Sequence, residues 1–261
     1  NVMRELVFLA ETVIVRLKRG VIVRPPRGIR APTNPATWLH ARAARLSQVA
    51  LWRDATSAKV AGGDQIAPDI GFAAGIRPGR DGAERDELIV SMRGARPYPD
   101  SAWIQAVRAV AASESLRIRT VVQVREDEAR AHELAEALGG VFEPWGDTDS
   151  VAQEALLRER YDGARLVISD RMHVLVLAAL SGAIPAELVA HPTRKISEAF
   201  ETIDLGDISC DASTIDANGM QRFLHDQLDR GAEVQERLAA AERRLATIEA
   251  NLRATIRSAR A

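Results

Sequence analysis

The sequence predicts an α/β fold: two Rossmann-like domains, the first incomplete, followed by an amphipathic helix of coiled-coil character. Three observations carry this. Apolar runs of strand length alternate with helical patterns of about ten residues from position 88 to 201, the pattern of parallel βαβ units with right-handed crossovers and helices on both faces. A shorter alternation precedes it, and the stretch 75–85 (GIRPGRDGAER) between them has linker composition. Near the C-terminus Val234, Leu238, Ala241, Leu245, Ile248 and Leu252 step by four and three in turn, an apolar seam. The expected division is 1–80, 81–210 and a helical tail 211–261. The tail either folds back on its own body or pairs two subunits as a homodimer.

Taken in order, Met3 to Lys18 has helical apolar spacing and Gly20 stops it before the β-branched run Val21-Ile22-Val23. Pro25, Pro26, Gly28, Pro32 and Pro35 mark a loop, followed by a helix from Ala36 to Leu46 and a strand over Val49–Trp52. A short helix from Thr56 to Ala61 and an extended segment from Ile66 to Phe72 complete the first half. The second half reads as strands at 88–92, 118–124, 141–144, 165–169 and 184–189. The helices between and after them fall at 101–113, 126–138, 151–160, 172–180 and 196–201. Residues 206–218 form a polar stretch.

The chain has 261 residues, enough for a real hydrophobic core, with 46% hydrophobic and 27% charged residues, which excludes disorder as the main state. Lys plus Arg number 35 against 36 for Asp plus Glu, a net charge of -1. No global field therefore recruits nucleic acid or anionic membrane, and any anion site must be built locally. The one cysteine, Cys210, cannot form an internal disulfide, and with no secretory signal the expected compartment is the cytoplasm. The greasiest stretch, 6–23, carries Glu11, Arg16, Lys18 and Arg19, so no membrane span is expected. Opening inside a helix pattern without Met, the chain reads as the C-terminal part of a longer protein.

In sheets of this kind ligands bind outside the carboxyl ends of the strands, so residues just after each strand are the ones to inspect. The run 88–94 leads into Ser91-Met-Arg93-Gly94 and places a hydroxyl and a guanidinium at that edge. Arg93 suits a carboxylate or phosphate through its planar fork, or is simply a surface residue. A second run ends in Ser169-Asp170-Arg171-Met-His173 as a helix opens. Ser169 or Asp170 can cap that helix, whose free N–H groups favour an anion. His173, of a residue type that titrates near neutrality, can move a proton there or be an ordinary polar residue. Lysine occurs only at 18, 59 and 195, so Lys195, following an apolar strand and opening a helix, stands out as a point charge for a phosphate or ring hydroxyl.

These residues bring a family into view. The segment 163–205 resembles the C-terminal region of the polysaccharide pyruvyl transferases. Leu51-Trp-Arg53-Asp-Ala-Thr-Ser57 resembles that family's Arg-acid-x-x-Ser strand end, residues 67–72 (APDIGF) its Pro-Asp stretch, and Ser91-Met-Arg93 its Ser-x-Arg. The resemblance covers roughly residues 20–207, without the family's glycine-rich N-terminal segment. It implies a GT-B-like arrangement of two Rossmann-like domains and transfer of the enolpyruvyl group of phosphoenolpyruvate onto two hydroxyls of a sugar in a glycan or glycolipid precursor. The products are a pyruvate ketal and phosphate. It places the family's Arg-x-His on Arg171 and His173, its Ser-x-Arg arginine on Arg93 and its late lysine on Lys195. His173 is then the acid that protonates the methylene carbon, with Asp170 orienting it or holding the sugar. Ser91, Arg53, Arg93, Arg171 and Lys195 are left for substrate binding.

No metal or other cofactor is expected: no His/Cys/Asp cluster has ligand spacing, and neither GxGxxG nor GxxxxGK[ST] occurs. Two rival readings stay open. One is a GT-B glycosyltransferase using a nucleotide sugar, although Glu187, Glu198 and Glu201 lack the eight-residue spacing common in retaining enzymes of that kind. The other is a non-catalytic scaffold acting through the helical tail.

Overall fold

The computed structural model describes residues 2–29, 34, 37–76 and 84–258. Two compact units emerge, one of residues 1–73, 198–204 and 240–261, the other of 74–197 and 205–239. The expected tail 211–261 is therefore no separate body. Both of its halves are absorbed into the units, because Val234, Leu238, Ala241 and Leu245 are buried by the chain itself. The seam read as a possible subunit interface is thus occupied internally along those four positions. Among the described residues no helix is long and apolar enough to cross a membrane.

In the first unit α1 (Val2–Leu17) precedes β1 (Val23–Arg27), then α2 (Trp38–Arg45), β2 (Val49–Trp52) and α3 (Ala55–Ala61). β1 and β2 pair in parallel, with a register shift between Arg24 and Arg27. Pro25 and Pro26 were read as loop, yet both lie inside β1. Proline's fixed φ is compatible with extended backbone, and the register shift between Arg24 and Arg27 interrupts the ladder where the proline N–H groups are missing. The segment 66–72 is not a strand: Ile66 makes one bridge to Trp52 and the chain then coils into a 3₁₀ turn over Ile70–Ala74. α3 starts at Asp54, whose carboxylate accepts the Ser57 N–H, and stops at Gly62 with φ +69°, a left-handed stop that glycine adopts without strain. Phe72 packs edge-on against Phe200 with ring centroids 5.3 Å apart. Arg244 donates to the carbonyls of Ile66 and Thr202. The second half of the last helix is tied to this unit in that way. Pro32, Pro35 and Ala36 of the expected loop and helix, and 77–83 of the expected linker, lie outside the described residues.

The second unit begins with β3 (Glu87–Ser91), α4 (Ser101–Ser113), β4 (Arg117–Val121), α5 (Glu128–Leu138), β5 (Val141–Glu143) and α6 (Ser150–Gly163). It continues with β6 (Ala164–Ser169), α7 (Met172–Leu180), β7 (Ile184–Val189), α8 (Arg194–Glu201), β8 (Ser209–Asp211), α9 (Ala217–Leu228) and α10 (Gly231–Ser258), the ends of α8 and α10 belonging to the first unit. Six strands form one parallel sheet in the order β5-β4-β3-β6-β7-β8. β3 and β7 are buried along their whole length, as their near-continuous apolar runs require of strands covered on both faces. β8 escapes the sequence reading because its three residues sit in a polar stretch and gain order only by pairing with β7.

Candidate functional site

Chain order runs outward from β3 to β4 and β5 on one side, and through β6, β7 and β8 on the other. The direction of winding reverses between β3 and β6, and a crevice opens at the carboxyl ends of two such strands. Ser91 and Ser169 are register partners at that edge. Two motifs separated by 78 residues thus end side by side. Both serines are buried, and the Ser169 hydroxyl fixes backbone, donating to the Ser91 carbonyl and accepting the Arg171 N–H at 3.0 Å.

Asp170 differs from expectation. It does not cap α7: the N-cap is Arg171, with no side-chain bond to the first turn. Instead Asp170, 1% exposed, turns back toward β3. Its Oδ1 accepts the Arg93 N–H at 3.0 Å, its carbonyl accepts Arg93 Nη2 at 2.9 Å, and its Oδ2 lies 3.1 Å from Arg96 Nε. Arg93 is therefore paired with a carboxylate. Arg171 is paired as well, with Asp127, which also accepts the Gly94 N–H at 2.9 Å. These pairings stitch the ends of β3 and β6 and the turn after β4 into one polar cluster.

His173 stands one turn into α7 and is exposed, while its neighbours Met172, Val174, Leu175 and Val176 are buried. It lines a crevice with Arg171, Arg125, Trp145, Gln153 and Leu177. Arg125 and Trp145 were not singled out in the sequence. The Arg125 guanidinium lies 5.4 Å over the Trp145 ring, a cation–π contact, and has no carboxylate partner among the described residues. Trp145 is held from behind, its indole N–H donating to the Thr148 carbonyl at 3.0 Å. The signal that could have found Arg125 is the strand-end rule itself. β4 stops at Val121, and although the sequence reading carried it to Val124 and started the helix at 126, leaving Arg125 as the junction residue, that position was not taken up.

Lys195 is exposed in the first turn of α8 and lines neither this crevice nor the apolar pocket described below. Arg53 belongs to the first unit, where it donates to Asp69 at 2.6 Å. The neighbouring acid and serine of its motif have local work: Asp54 caps α3, and the Ser57 hydroxyl accepts the Ile29 N–H at 2.7 Å. The structure thus brings Ser91, Arg93, Asp170, Arg171 and His173 to one sheet edge, while Lys195 is not in the lining of the His173 crevice and Arg53 belongs to the other unit.

Glu187, fully buried in β7, is held at a pKa of about 7 because burial disfavours its anion more than the Ser209 hydroxyl and the nearby Arg96 favour it. Between the ordinary carboxylate value and that raised one, the native state keeps a proton that the unfolded chain has lost. Stability from this group therefore falls as pH rises through that window. Glu187→Gln should remove the slope: the variant's advantage in denaturant unfolding should grow by about 2–3 kcal/mol between pH 4.5 and pH 8. A difference that stays constant with pH would show that Glu187 is ionised in the folded protein.

The sequence matches no family model and no curated protein. In three dimensions the chain is similar to a candidate UDP-N-acetylglucosamine 2-epimerase from Listeria monocytogenes, with TM-score 0.56, 17% identity, and coverage of 94% of this chain and 72% of that one. It is similar also to Anabaena HepE, crystallised with UDP, with TM-score 0.57, 15% identity, and coverage of 97% and 77%. HepE with UDP-glucose gives TM-score 0.52 and 14% identity, over 97% and 77%. The fold is α/β with parallel sheets, similar to that of these proteins.

Proposed function

We propose that the chain is a pyruvyl transferase that moves the enolpyruvyl group of phosphoenolpyruvate onto two hydroxyls of a sugar, forming a pyruvate ketal and releasing phosphate. The observation that supports it is the shared crevice of Arg125, Arg171 and His173, opening at the strand edge where Ser91-Met-Arg93 also ends. A donor with a carboxylate and a phosphate suits guanidinium forks and a helix N-terminus that its N-cap side chain leaves uncapped, and both are here. His173 protonates the methylene carbon, leaving an oxocarbenium-like centre at the adjoining carbon. One sugar hydroxyl adds there and the second displaces phosphate. Of the two protons that the hydroxyls lose, one balances the methyl group formed and the other leaves on phosphate.

Arg125 is the guanidinium best placed to take the donor's charge, since Arg171 is already matched by Asp127. Arg125→Gln should raise the KM for phosphoenolpyruvate by about 10- to 100-fold with little change in kcat, the worth of one charged hydrogen bond. An unchanged KM in phosphate-release kinetics removes Arg125 from the donor site.

A second reading, transfer from a nucleotide sugar, is favoured by the likeness to structures crystallised with UDP and UDP-glucose. One experiment separates the two. The full chain is assayed for phosphate release from phosphoenolpyruvate, and for UDP release from UDP-sugars, over the same panel of glycan acceptors. Phosphate release alone supports pyruvyl transfer, and UDP release alone overturns it.

A further inference from the structure

A second pocket, lined in part by Asp170, shares no wall residue with the His173 crevice, and we propose that it holds a nucleobase, so that the acceptor sugar arrives linked to a nucleotide. The second half of that statement rests on the pyruvyl transfer reading; the first does not. The pocket lies between the loop after β3, the start of α4 and the carboxyl end of β7, with Met92, Pro97, Tyr98, Leu188 and Val189 among its walls. Its cavity volume is about 120 Å³, with a mouth open to solvent.

Three features define the occupant. The walls are apolar or aromatic, which suits a flat ring. Asp170 lines the floor, and its Oδ2 accepts no hydrogen bond although the residue is 1% exposed; Arg96 and Arg93 approach that oxygen without hydrogen-bond geometry. A buried acceptor left open in this way calls for a ligand N–H or O–H. Finally, Arg96 and Arg130 line the same pocket and, with Arg93 beside it, leave positive charge in excess of Asp170 and Asp100. Arg130 is spent structurally, donating to the carbonyls of Arg93, Gly94, Arg96 and Pro97, but its charge still favours an anionic extension at the mouth. A heteroaromatic base on a phosphorylated tether brings a flat apolar body, an N–H for Asp170 and a negative tail.

The test is calorimetric titration and thermal shift of the full chain with UMP, CMP, AMP and GMP, with ribose 5-phosphate as the probe lacking a base. At least one nucleotide should bind and ribose 5-phosphate should not. Ala190→Trp, which fills the pocket from an exposed position on its rim, should weaken that binding at least tenfold, as should Asp170→Asn. No binding of any nucleotide at about 1 mM, or binding indifferent to Ala190→Trp, overturns the pocket assignment. Nucleotide binding without phosphate release from phosphoenolpyruvate would leave the pocket standing and end the pyruvyl reading. Phosphate release with free or lipid-linked sugars and no nucleotide binding would do the reverse.

Discussion

Replacing His173 by alanine is expected to lower phosphate release from phosphoenolpyruvate by about 10²- to 10⁴-fold, the usual worth of a positioned general acid, with no change in melting temperature. The second half of that expectation comes from packing. α7 reads MHVLVLAAL and is buried at Met172, Val174, Leu175, Val176, Ala178, Ala179 and Leu180. His173 is the exposed polar residue of that run, so its imidazole adds little to the core. A chain selected only for folding would gain as much from any helix former there. Its place beside a helix N-terminus that the N-cap side chain leaves uncapped gives the imidazole a reason to be where a donor's anionic groups would bind. The measurement is steady-state phosphate release by wild type and variant, with melting curves on the same samples. Turnover within threefold of wild type would remove His173 from the acid role. A drop in melting temperature matching the loss of activity would recast it as a structural residue.

How much of this was legible in the sequence depends on which interactions are local. The strand ends were legible: an apolar run broken by Ser-x-Arg or Ser-Asp-Arg marks where β3 and β6 stop, because two-sided burial imposes continuous hydrophobicity. α7 and β7 were read with the bounds they have. What the residues at those ends do was not legible. Asp170 was read as a cap or a catalytic neighbour of His173 because both are local roles. Its actual partners, Arg93 and Arg96, lie 77 and 74 residues back, and register across the sheet decides that they meet. The same holds for Asp127, which looks like one of several acids opening a helix and proves to be the partner of Arg171, 44 residues on. Charge type can be read from sequence, but pairing cannot. Trp145, in a loop, gave no periodic signal at all.

Arg85 makes the point most sharply, and its removal should cost more stability than any other change considered. Composition placed it at the edge of a linker, yet it is 7% exposed and its guanidinium serves three carbonyls: Ala164 at 3.1 Å, Tyr161 at 3.4 Å and Ser181 at 2.8 Å. Tyr161 is in the last turn of α6, Ala164 opens β6, and Ser181 ends α7. One side chain therefore satisfies carbonyls at two helix C-termini, where a cation is also favoured by the dipoles. Gly182, with φ +90°, completes the arrangement: a Cβ there would lie 2.3 Å from Arg85 Nη2, so backbone and guanidinium occupy space that any side chain would claim. Arg85→Met keeps most of the aliphatic stem and strips the donors from three carbonyls in one step. At about 1–3 kcal/mol for each buried acceptor left open, with partial relief by water, the expected loss is about 4 kcal/mol. That corresponds to roughly 10 °C for a unit of this size. Gly182→Ala should be destabilising through the same contact. Denaturant unfolding of the full chain decides it. A loss under 1 kcal/mol for Arg85→Met would mean that these carbonyls find water readily and that the three helix and strand ends hold together without the guanidinium.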